Sequence, residues 1–215
     1  MTDPVRLLYD TVATSYDAAF AGELSAKPLD RALLAALAES AAGGAMADLG
    51  CGPGQIAAQL RSYGGQVVGL DLSVQMVAAG SARHPRLQFA AGDLRSLPLA
   101  DCSISAAAAF YSIIHLEPKH RPLVFREICR VLQPSGQALV AFHIDAPGIG
   151  SGTTVRSSEF LGHPVDHVGY FLDPDDIASN AREAGLIEVF RCVRRPISDL
   201  EYPSRRCYLL LERER

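Results

Sequence analysis

The sequence has 215 residues, of which 48% are hydrophobic and 20% are charged, and its formal net charge is -4 at pH 7. A chain of this length and hydrophobic content can bury a sizeable core as one domain, which excludes an intrinsically disordered protein. The slight acidic excess provides no overall positive field for a phosphate backbone, so a nucleic-acid partner is not expected.

Short apolar runs alternate with amphipathic stretches along most of the chain. The predicted strands are Ala45–Leu49, Gln66–Leu70, Leu87–Ala90, Ile104–Tyr111, Gln137–Phe142, Ile187–Val193 and Cys207–Leu211. Between them, apolar residues recur three or four positions apart, as in Leu29, Leu33 and Leu37, which predicts amphipathic helices. This alternation predicts an α/β fold of the Rossmann-like, doubly wound kind, with a mostly parallel sheet covered on both faces.

The whole chain, 1–215, is predicted to be a single domain because it contains no internal repeat and no low-complexity linker. A helical cap is expected over about residues 1–42. The segment from Asp145 to Leu172 carries five glycines and interrupts the alternation of predicted strands and helices. This composition predicts a loop-rich, lid-like insertion. The last two strands have no helix between them, so we expect an antiparallel edge pair, with the nearby arginines on its solvent side.

The five cysteines are widely spaced and form no C-x-x-C pair, which argues against a disulfide framework or a zinc site. The first residues lack the organisation of a signal peptide, and no uncharged apolar run is long enough to cross a bilayer. We therefore expect a cytoplasmic protein with no metal and no membrane partner. Nothing in the sequence indicates the oligomeric state.

A glycine-rich turn follows the first strand, in the stretch Asp48-Leu49-Gly50-Cys51-Gly52-Pro53-Gly54-Gln55. Glycines are needed where the backbone turns sharply and approaches a ligand. A dinucleotide fingerprint requires glycine or alanine five residues after the first glycine, where this chain has Gln55. Asp71 ends the second strand, where a carboxylate can accept hydrogen bonds from both ribose hydroxyls, and Gly92-Asp93-Leu94 ends the third, where an aspartate can accept from an adenine amino group.

This D-x-G-x-G-x-G turn, with an acid at the second strand end and G-D-L after the third, resembles the class I S-adenosylmethionine-dependent methyltransferases. The resemblance extends over almost the whole chain and is closest to small bacterial, actinobacterial-like enzymes, a group that includes ubiquinone and menaquinone methyltransferases. It implies seven strands in the order 3-2-1-4-5-7-6, with the last strand antiparallel. Ser135 stands where the family usually has glycine.

The resemblance implies that the chain binds S-adenosylmethionine and releases S-adenosylhomocysteine. The glycines would lie under the methionine part of the cofactor, Leu72 and Met76 would enclose the adenine, and Phe110 and Tyr111 would flank the sulfonium. The full set of cofactor-binding residues implied is Tyr9, Tyr16, Asp48, Gly50, Cys51, Gly52, Gly54, Gln55, Asp71, Leu72, Met76, Gly92, Asp93, Leu94, Phe110 and Tyr111.

Methyl transfer from a sulfonium is an in-line displacement, so the protein has mainly to align the reactants and exclude water. An oxygen nucleophile also benefits from a base, for which His143 and then His115 are the candidates. His163, His167 and Tyr170 in the insertion are candidates for binding a small-molecule acceptor, which would receive the methyl group on an oxygen or nitrogen atom. Two alternatives stay open: a nicotinamide-dependent oxidoreductase, and a catalytically silent module that binds S-adenosylmethionine.

Overall fold

The computed structural model describes residues 3–215. The helices are α1 (Pro4–Phe20), α2 (Pro28–Ser40), α3 (Gln55–Ser62), α4 (Val74–Arg83), α5 (Arg121–Val131) and α6 (Pro174–Glu183). The strands are β1 (Ala45–Leu49), β2 (Gln66–Asp71), β3 (Gln88–Ala91), β4 (Ile104–Phe110), β5 (Leu132–Asp145), β6 (Thr154–Phe160), β7 (His163–Tyr170), β8 (Leu186–Arg194) and β9 (Arg205–Arg213). Short 3-10 helices cover Glu23–Ala26, Ile113–His115 and Pro118–His120. None of the helices within 3–215 has the length and apolar character that crossing a membrane requires.

The main sheet has seven strands in the order β3-β2-β1-β4-β5-β9-β8. The neighbours from β3 to β5 pair in parallel, and β9 runs antiparallel to both β5 and β8. The predicted α/β fold is therefore confirmed, together with the implied strand order. The last two strands form the predicted antiparallel pair at one edge of the sheet, where β9 pairs with β5 and β8 lies outermost.

The central strand β4 explains why a nearly continuous apolar run is needed here. Its side chains alternate between two buried clusters, with Ala107 and Ala109 packing against α5 and α6, and Ala106 and Ala108 packing against α2 and α3. A strand that is covered on both faces has no polar face to offer to water. The small alanine side chains let both helical layers approach the sheet closely.

The two N-terminal helices occupy different layers. Leu34 and Leu37 of α2 are buried against the sheet, as part of one helical layer. Helix α1 instead places Leu8 and Val12 against Met76 of α4 and against the partly buried Phe160 of β6. The helical cap expected over residues 1–42 thus reaches the rim of the sheet through α1, while α2 belongs to the sheet's own cover.

The insertion from Asp145 to Leu172 is more regular than the predicted loop-rich segment. Strands β6 and β7 form an antiparallel hairpin apart from the main sheet. Its two-residue turn, Leu161-Gly162, has positive φ at both positions (52° and 78°), which matches the twist of the flanking strands. Several of the glycines therefore lie in turns around strand ends, and the polar side chains between them belong to a half-exposed hairpin.

Strand β5 begins at Leu132, five residues before the predicted start. Ser135, within this extension, adopts a φ of +63°, the left-handed region that favours glycine. The backbone here has the conformation that suits the usual glycine of the resembling family, although the side chain is serine.

Candidate active site

The turn from β1 to α3 brings backbone close to the carboxyl ends of the parallel strands. The amide of Gly50 donates to the carbonyl of Leu70 on β2 at 2.7 Å, which ties the turn to the neighbouring strand. Gly50 has a φ of +74°, and a Cβ there would lie 2.3 Å from the Cβ of Ser112. Gly52 has a φ of +52° and lines the main cavity. Glycine at position 50 is therefore required both by conformation and by close approach.

Asp71 ends β2 at the same edge of the sheet. Its carboxylate accepts hydrogen bonds from the backbone amides of Gly52 and Ser73, each at 2.8 Å. Burial raises the pKa of this carboxyl, against the lowering effect of the two amides. An ionised carboxylate has about four acceptor positions. Asp71 can therefore accept further hydrogen bonds from a ligand in the cavity that it lines.

Asp48 has a different task from Asp71. It is buried, and its carboxylate accepts from the amide of Ala57 at 2.8 Å, inside the first turns of α3. Burial raises its pKa to about 7. Asp48, Cys51 and Gln55 line a smaller cavity of about 40 Å³, which adjoins the main one at the glycine turn. The contacts of Asp48 thus orient the helix that follows the turn.

The main cavity has a volume of about 620 Å³, within the usual range of small-molecule sites. Among the predicted site residues, those lining it are Tyr9, Tyr16, Gly50, Gly52, Asp71, Leu72, Met76, Asp93, Leu94, Phe110, Tyr111, His115, His143, His167 and Tyr170. The fold therefore brings most of the predicted cofactor residues and most of the predicted acceptor residues to one enclosure.

Three predicted residues do not line either cavity. Gly54 has a φ of +88° and begins α3, and a Cβ there would lie 2.6 Å from the ring of Phe89. Gly92 also lies outside the lining. His163 is turned toward α1, where its Nε2 lies 2.9 Å from the hydroxyl of Ser15. Gly54 thus serves the packing of α3 against β3, and His163 fastens the hairpin to α1.

His115 lies beneath the hairpin and α1. The hydroxyl of Tyr9 is 2.6 Å from its Nε2, and the ring of His167 on β7 is 4.9 Å away, centroid to centroid. Burial, followed by the neighbouring His167, lowers the pKa of His115 to about 3. His115 is therefore neutral near pH 7 and is already engaged by a tyrosine.

His143, near the end of β5, faces the cavity beside the end of β4. Its ring stacks on that of Tyr111 with centroids 4.8 Å apart, and its Nδ1 lies 2.7 Å from the hydroxyl of Ser204. Burial, with added effects of Arg206 and Lys27, lowers its pKa to about 3. The structure therefore presents a neutral, fixed imidazole at the position where the sequence predicted an acceptor-facing histidine.

Comparisons with known proteins agree with this geometry. A methyltransferase-domain family model matches residues 46–136. A demethylmenaquinone methyltransferase of Beutenbergia cavernae is 36% identical over 138 residues, covering 62% of this chain and 55% of that protein. The O-methyltransferase cnsE of Penicillium expansum is 30% identical over 147 residues, covering 65% of this chain and 50% of the relative.

Residues 46–136 thus match a methyltransferase domain, and both of these relatives are methyltransferases by name. Among solved structures, the [4+2]-cyclase SpnF covers 98% of this chain and 95% of its own, with a TM-score of 0.76 at 18% identity, a likeness of fold. A geranyl diphosphate methyltransferase in complex with S-adenosylmethionine has a TM-score of 0.64 at 13% identity, over 85% of each chain. The chain spans about half the length of the two curated relatives named above.

The residues at the strand ends fit S-adenosylmethionine, the cofactor of the methyltransferases that the chain resembles. Asp71 offers free acceptor positions for ribose hydroxyls, and the partly buried Leu72 and fully buried Met76 provide apolar surface for a base. The hydroxyl of Ser112, which lines the cavity, is buried and has no hydrogen-bond partner within residues 3–215.

Asp93 has contacts that differ from its predicted role. Its carboxylate is bound by the guanidinium of Arg95, with contacts of 2.6 to 2.9 Å, and Arg95 also reaches Asp3 before α1 at 2.9 Å. The ion pair occupies most of the acceptor positions that the sequence assigned to an adenine amino group. Arg95 lies only two residues after Asp93, so the pair is local in sequence, but Arg95 was not among the predicted site residues.

A cluster of charged residues near the cavity was also missed. Glu201, in the segment between β8 and β9, accepts from Arg194 at 2.6 Å and lies 3.2 Å from the ammonium of Lys27 and 3.3 Å from Arg206. Arg194 also contacts the buried Asp30 at 3.1 Å. Arg194 and Arg206 are largely buried, so the expectation that these arginines face solvent is wrong for both. Both arginines can be buried because the fold brings carboxylates close to them. No local sequence pattern indicates these ion-pair partners.

The two neutral histidines predict an acid-sensitive fold. A histidine with a folded pKa near 3 binds fewer protons than in the unfolded chain, so its contribution to stability decreases as pH falls below about 6.5. We expect the free energy of unfolding of His115→Gln to fall less than that of the wild type between pH 7 and pH 5, in urea titrations. The variant Gln59→Ala, at a half-buried position on α3, is the control, and equal slopes for His115→Gln and wild type would contradict the prediction.

Proposed function

We propose that the chain transfers a methyl group from S-adenosylmethionine to an oxygen or nitrogen atom of a small-molecule acceptor. The observation that carries the proposal is that Asp71 and the glycine turn open onto the same cavity as Tyr111 and His143. Groups suited to hold the cofactor and groups suited to face an acceptor therefore share one enclosure. The names of the relatives, which include methyltransferases acting at different positions, support the reaction class and leave the acceptor open.

Bound S-adenosylmethionine would supply a methyl group on a good leaving group, so no covalent protein intermediate is needed. Asp71 accepts hydrogen bonds from the ribose hydroxyls, and Leu72 and Met76 pack against the base. Phe110 and Tyr111 exclude water from the acceptor end of the cavity, and His143 orients the acceptor or deprotonates it. Alignment and exclusion of water account for most of the work in such a displacement.

The β6–β7 hairpin is proposed to determine which acceptor binds. Phe160, His167 and Tyr170 of the hairpin line the cavity, while the glycine turn lies at its other side. The hairpin packs against α1 through Phe160 and through the contact of Ser15 with His163. Its movement with α1 would admit an acceptor and then close over it.

Cofactor identity is tested most directly by thermal shift. We expect S-adenosylhomocysteine to raise the melting temperature, because a ligand at about 100 times its Kd adds about 2.7 kcal/mol to the stability of the folded state. NAD at the same concentration should have no effect, since Gln55 occupies the position where a dinucleotide fingerprint has a small residue. Stabilisation by NAD alone would favour a nicotinamide-dependent oxidoreductase and would overturn the proposal.

Methyl transfer itself needs a separate assay, because the fold likeness extends to a cyclase. Transfer of a labelled methyl group to an acceptor supports the proposed function. Binding of S-adenosylhomocysteine without transfer to any acceptor class would instead support a module that binds the cofactor but does not methylate.

A further inference from the structure

The imidazole of His143 is fixed on several sides. Its ring stacks on Tyr111, at an interplanar angle of 29°, and meets the ring of Tyr202 edge-on with centroids 6.1 Å apart. Its Nδ1 lies 2.7 Å from the hydroxyl oxygen of Ser204. The other nitrogen, Nε2, makes no hydrogen bond within residues 3–215, and the ring lines the main cavity. Nε2 is therefore the polar atom that the ring has available for an acceptor.

Hydrogen-bond accounting decides which nitrogen carries the proton. Ser204 is fully buried, and within the described chain its hydroxyl bonds only to Nδ1 of His143. A buried O–H that donates to nothing is costly, whereas an unused lone pair on the oxygen costs less. The Ser204 hydroxyl therefore donates to Nδ1. A neutral imidazole with an accepting Nδ1 carries its hydrogen on Nε2.

The surrounding charges keep this ring neutral. Arg206 on β9, Lys27 before α2 and Arg194 on β8 place positive charge near it, and the one nearby carboxylate, Glu201, is already bound by these cations. Burial raises the pKa of Tyr111, so the ring stacked on His143 adds no charge at neutral pH. A second proton on the ring is disfavoured by burial and by the cations, so Nε2 points to the cavity as an N–H donor and has no lone pair to offer.

We propose that His143 acts as a hydrogen-bond donor to the methyl acceptor, held in this role by Ser204, and that the acceptor enters as an oxyanion: a carboxylate, an enolate or an acidic phenol. This inference rests on the proposed methyl transfer. A neutral amine has a single lone pair, which could not both bind Nε2–H and attack. An oxyanion has three lone pairs and can do both.

The transfer then balances without a base. One lone pair of the acceptor oxygen forms the new O–C bond while the S–C bond breaks. The electron pair of the S–C bond goes to sulfur, which becomes a neutral thioether. The acceptor oxygen loses its negative charge in the same step. No proton has to leave the acceptor within the cavity.

The first test reads the tautomer and needs no acceptor. Long-range ¹H–¹⁵N NMR of the histidine rings, with S-adenosylhomocysteine present, should show His143 with hydrogen on Nε2. The variant Ser204→Ala should shift His143 toward a mixture of tautomers, and Ser204→Thr, which keeps the hydroxyl, should restore it. The remote variant Ser105→Ala, whose hydroxyl contacts Gln133, is the control and should leave the signal unchanged. A wild-type ring with hydrogen on Nδ1 would overturn the inference while leaving the proposed function intact.

The second test separates a donor from a base. Labelled methyl transfer is screened with matched acids, acidic phenols, alcohols and amines, such as benzoate, 4-nitrophenol, benzyl alcohol and benzylamine. Transfer should occur to acids or acidic phenols, and methylation restricted to alcohols or amines would overturn the inference. No transfer to any class, with S-adenosylhomocysteine still bound, would overturn the proposed function and this inference together.

With an acceptor in hand, two His143 variants distinguish the roles. Glutamine keeps an N–H donor but cannot act as a base, so kcat/KM of His143→Gln should stay within about tenfold of wild type. His143→Ala loses the donor and should fall by about 10- to 100-fold, as expected for a hydrogen bond to a charged group. Both should bind S-adenosylhomocysteine within about twofold of wild type. Equal loss in both variants, with a pH profile that shows an essential base, would overturn the assignment.

Discussion

Replacing Asp71 with alanine should weaken binding of S-adenosylhomocysteine by about 2–4 kcal/mol, or roughly 30- to 1,000-fold in Kd. The carboxylate has acceptor positions left after binding the amides of Gly52 and Ser73, and these positions face the cavity. The variant would lose the charge-assisted hydrogen bonds to both ribose hydroxyls. Isothermal titration calorimetry measures the change directly.

Asp93→Ala is the matched control. Asp93 follows β3 and also lines the cavity, but its carboxylate is already bound by Arg95. We expect it to change the affinity by about 1 kcal/mol or less. Asp71→Asn tests whether the turn itself survives, since the amide oxygen can still accept from one backbone amide. If the Kd of Asp71→Ala matches that of the wild type, the ribose is held elsewhere. Equal losses for Asp71→Ala and Asp93→Ala would show that Arg95 releases Asp93 when the cofactor binds.

Replacing Glu201 with alanine should lower the free energy of unfolding by about 3–5 kcal/mol. The side chain is 1% exposed and faces Lys27, Arg194 and Arg206. Although burial acts to raise its pKa, Arg194 and the amide of Ile197 help to lower it to about 2, so the carboxylate is ionised at neutral pH. Without it, the largely buried Arg206 loses its ion pair, while Lys27 and Arg194 keep only Glu23 and Asp30 as carboxylate partners. Urea unfolding at pH 7 measures the loss.

Glu188→Ala is the control for this effect. Glu188 also binds an arginine, Arg191, at 2.8 Å, but its side chain is 28% exposed, and such surface pairs contribute about 0–1 kcal/mol. Glu201→Gln keeps the volume and removes the charge, so it should be nearly as destabilised as Glu201→Ala. A loss below about 1 kcal/mol in Glu201→Ala would show that water or side-chain movement compensates the cations.

The same cluster connects stability to the acceptor end of the cavity. Leu200 and Tyr202 lie beside Glu201 in the segment between β8 and β9, and both line the cavity. Anchoring of Glu201 therefore positions two side chains against which an acceptor can pack. A loss of Glu201 is expected to affect the acceptor end of the cavity more than the Asp71 end.

The sequence alone determined the sheet and the cofactor end of the site. Apolar periodicity placed β1, β2 and β4 within a residue or two of their observed bounds. The residues that follow parallel strands meet at one edge of the sheet, so Gly50, Gly52 and Asp71 had to converge once the strands were known. Local chain order is sufficient there, because each residue's position follows from the strand that carries it.

Only the tertiary structure decided the acceptor end. The contacts of His143 with Ser204, and of Lys27 with Glu201, join residues 61 and 174 positions apart, and neither pair forms a local pattern. Glycine spacing in the insertion predicted loops, whereas pairing of β6 with β7 made a hairpin. Burial of a charge or the tautomer of a histidine depends on which partners the fold brings within hydrogen-bonding distance. Periodicity records which face of an element is apolar, but it does not record these partners.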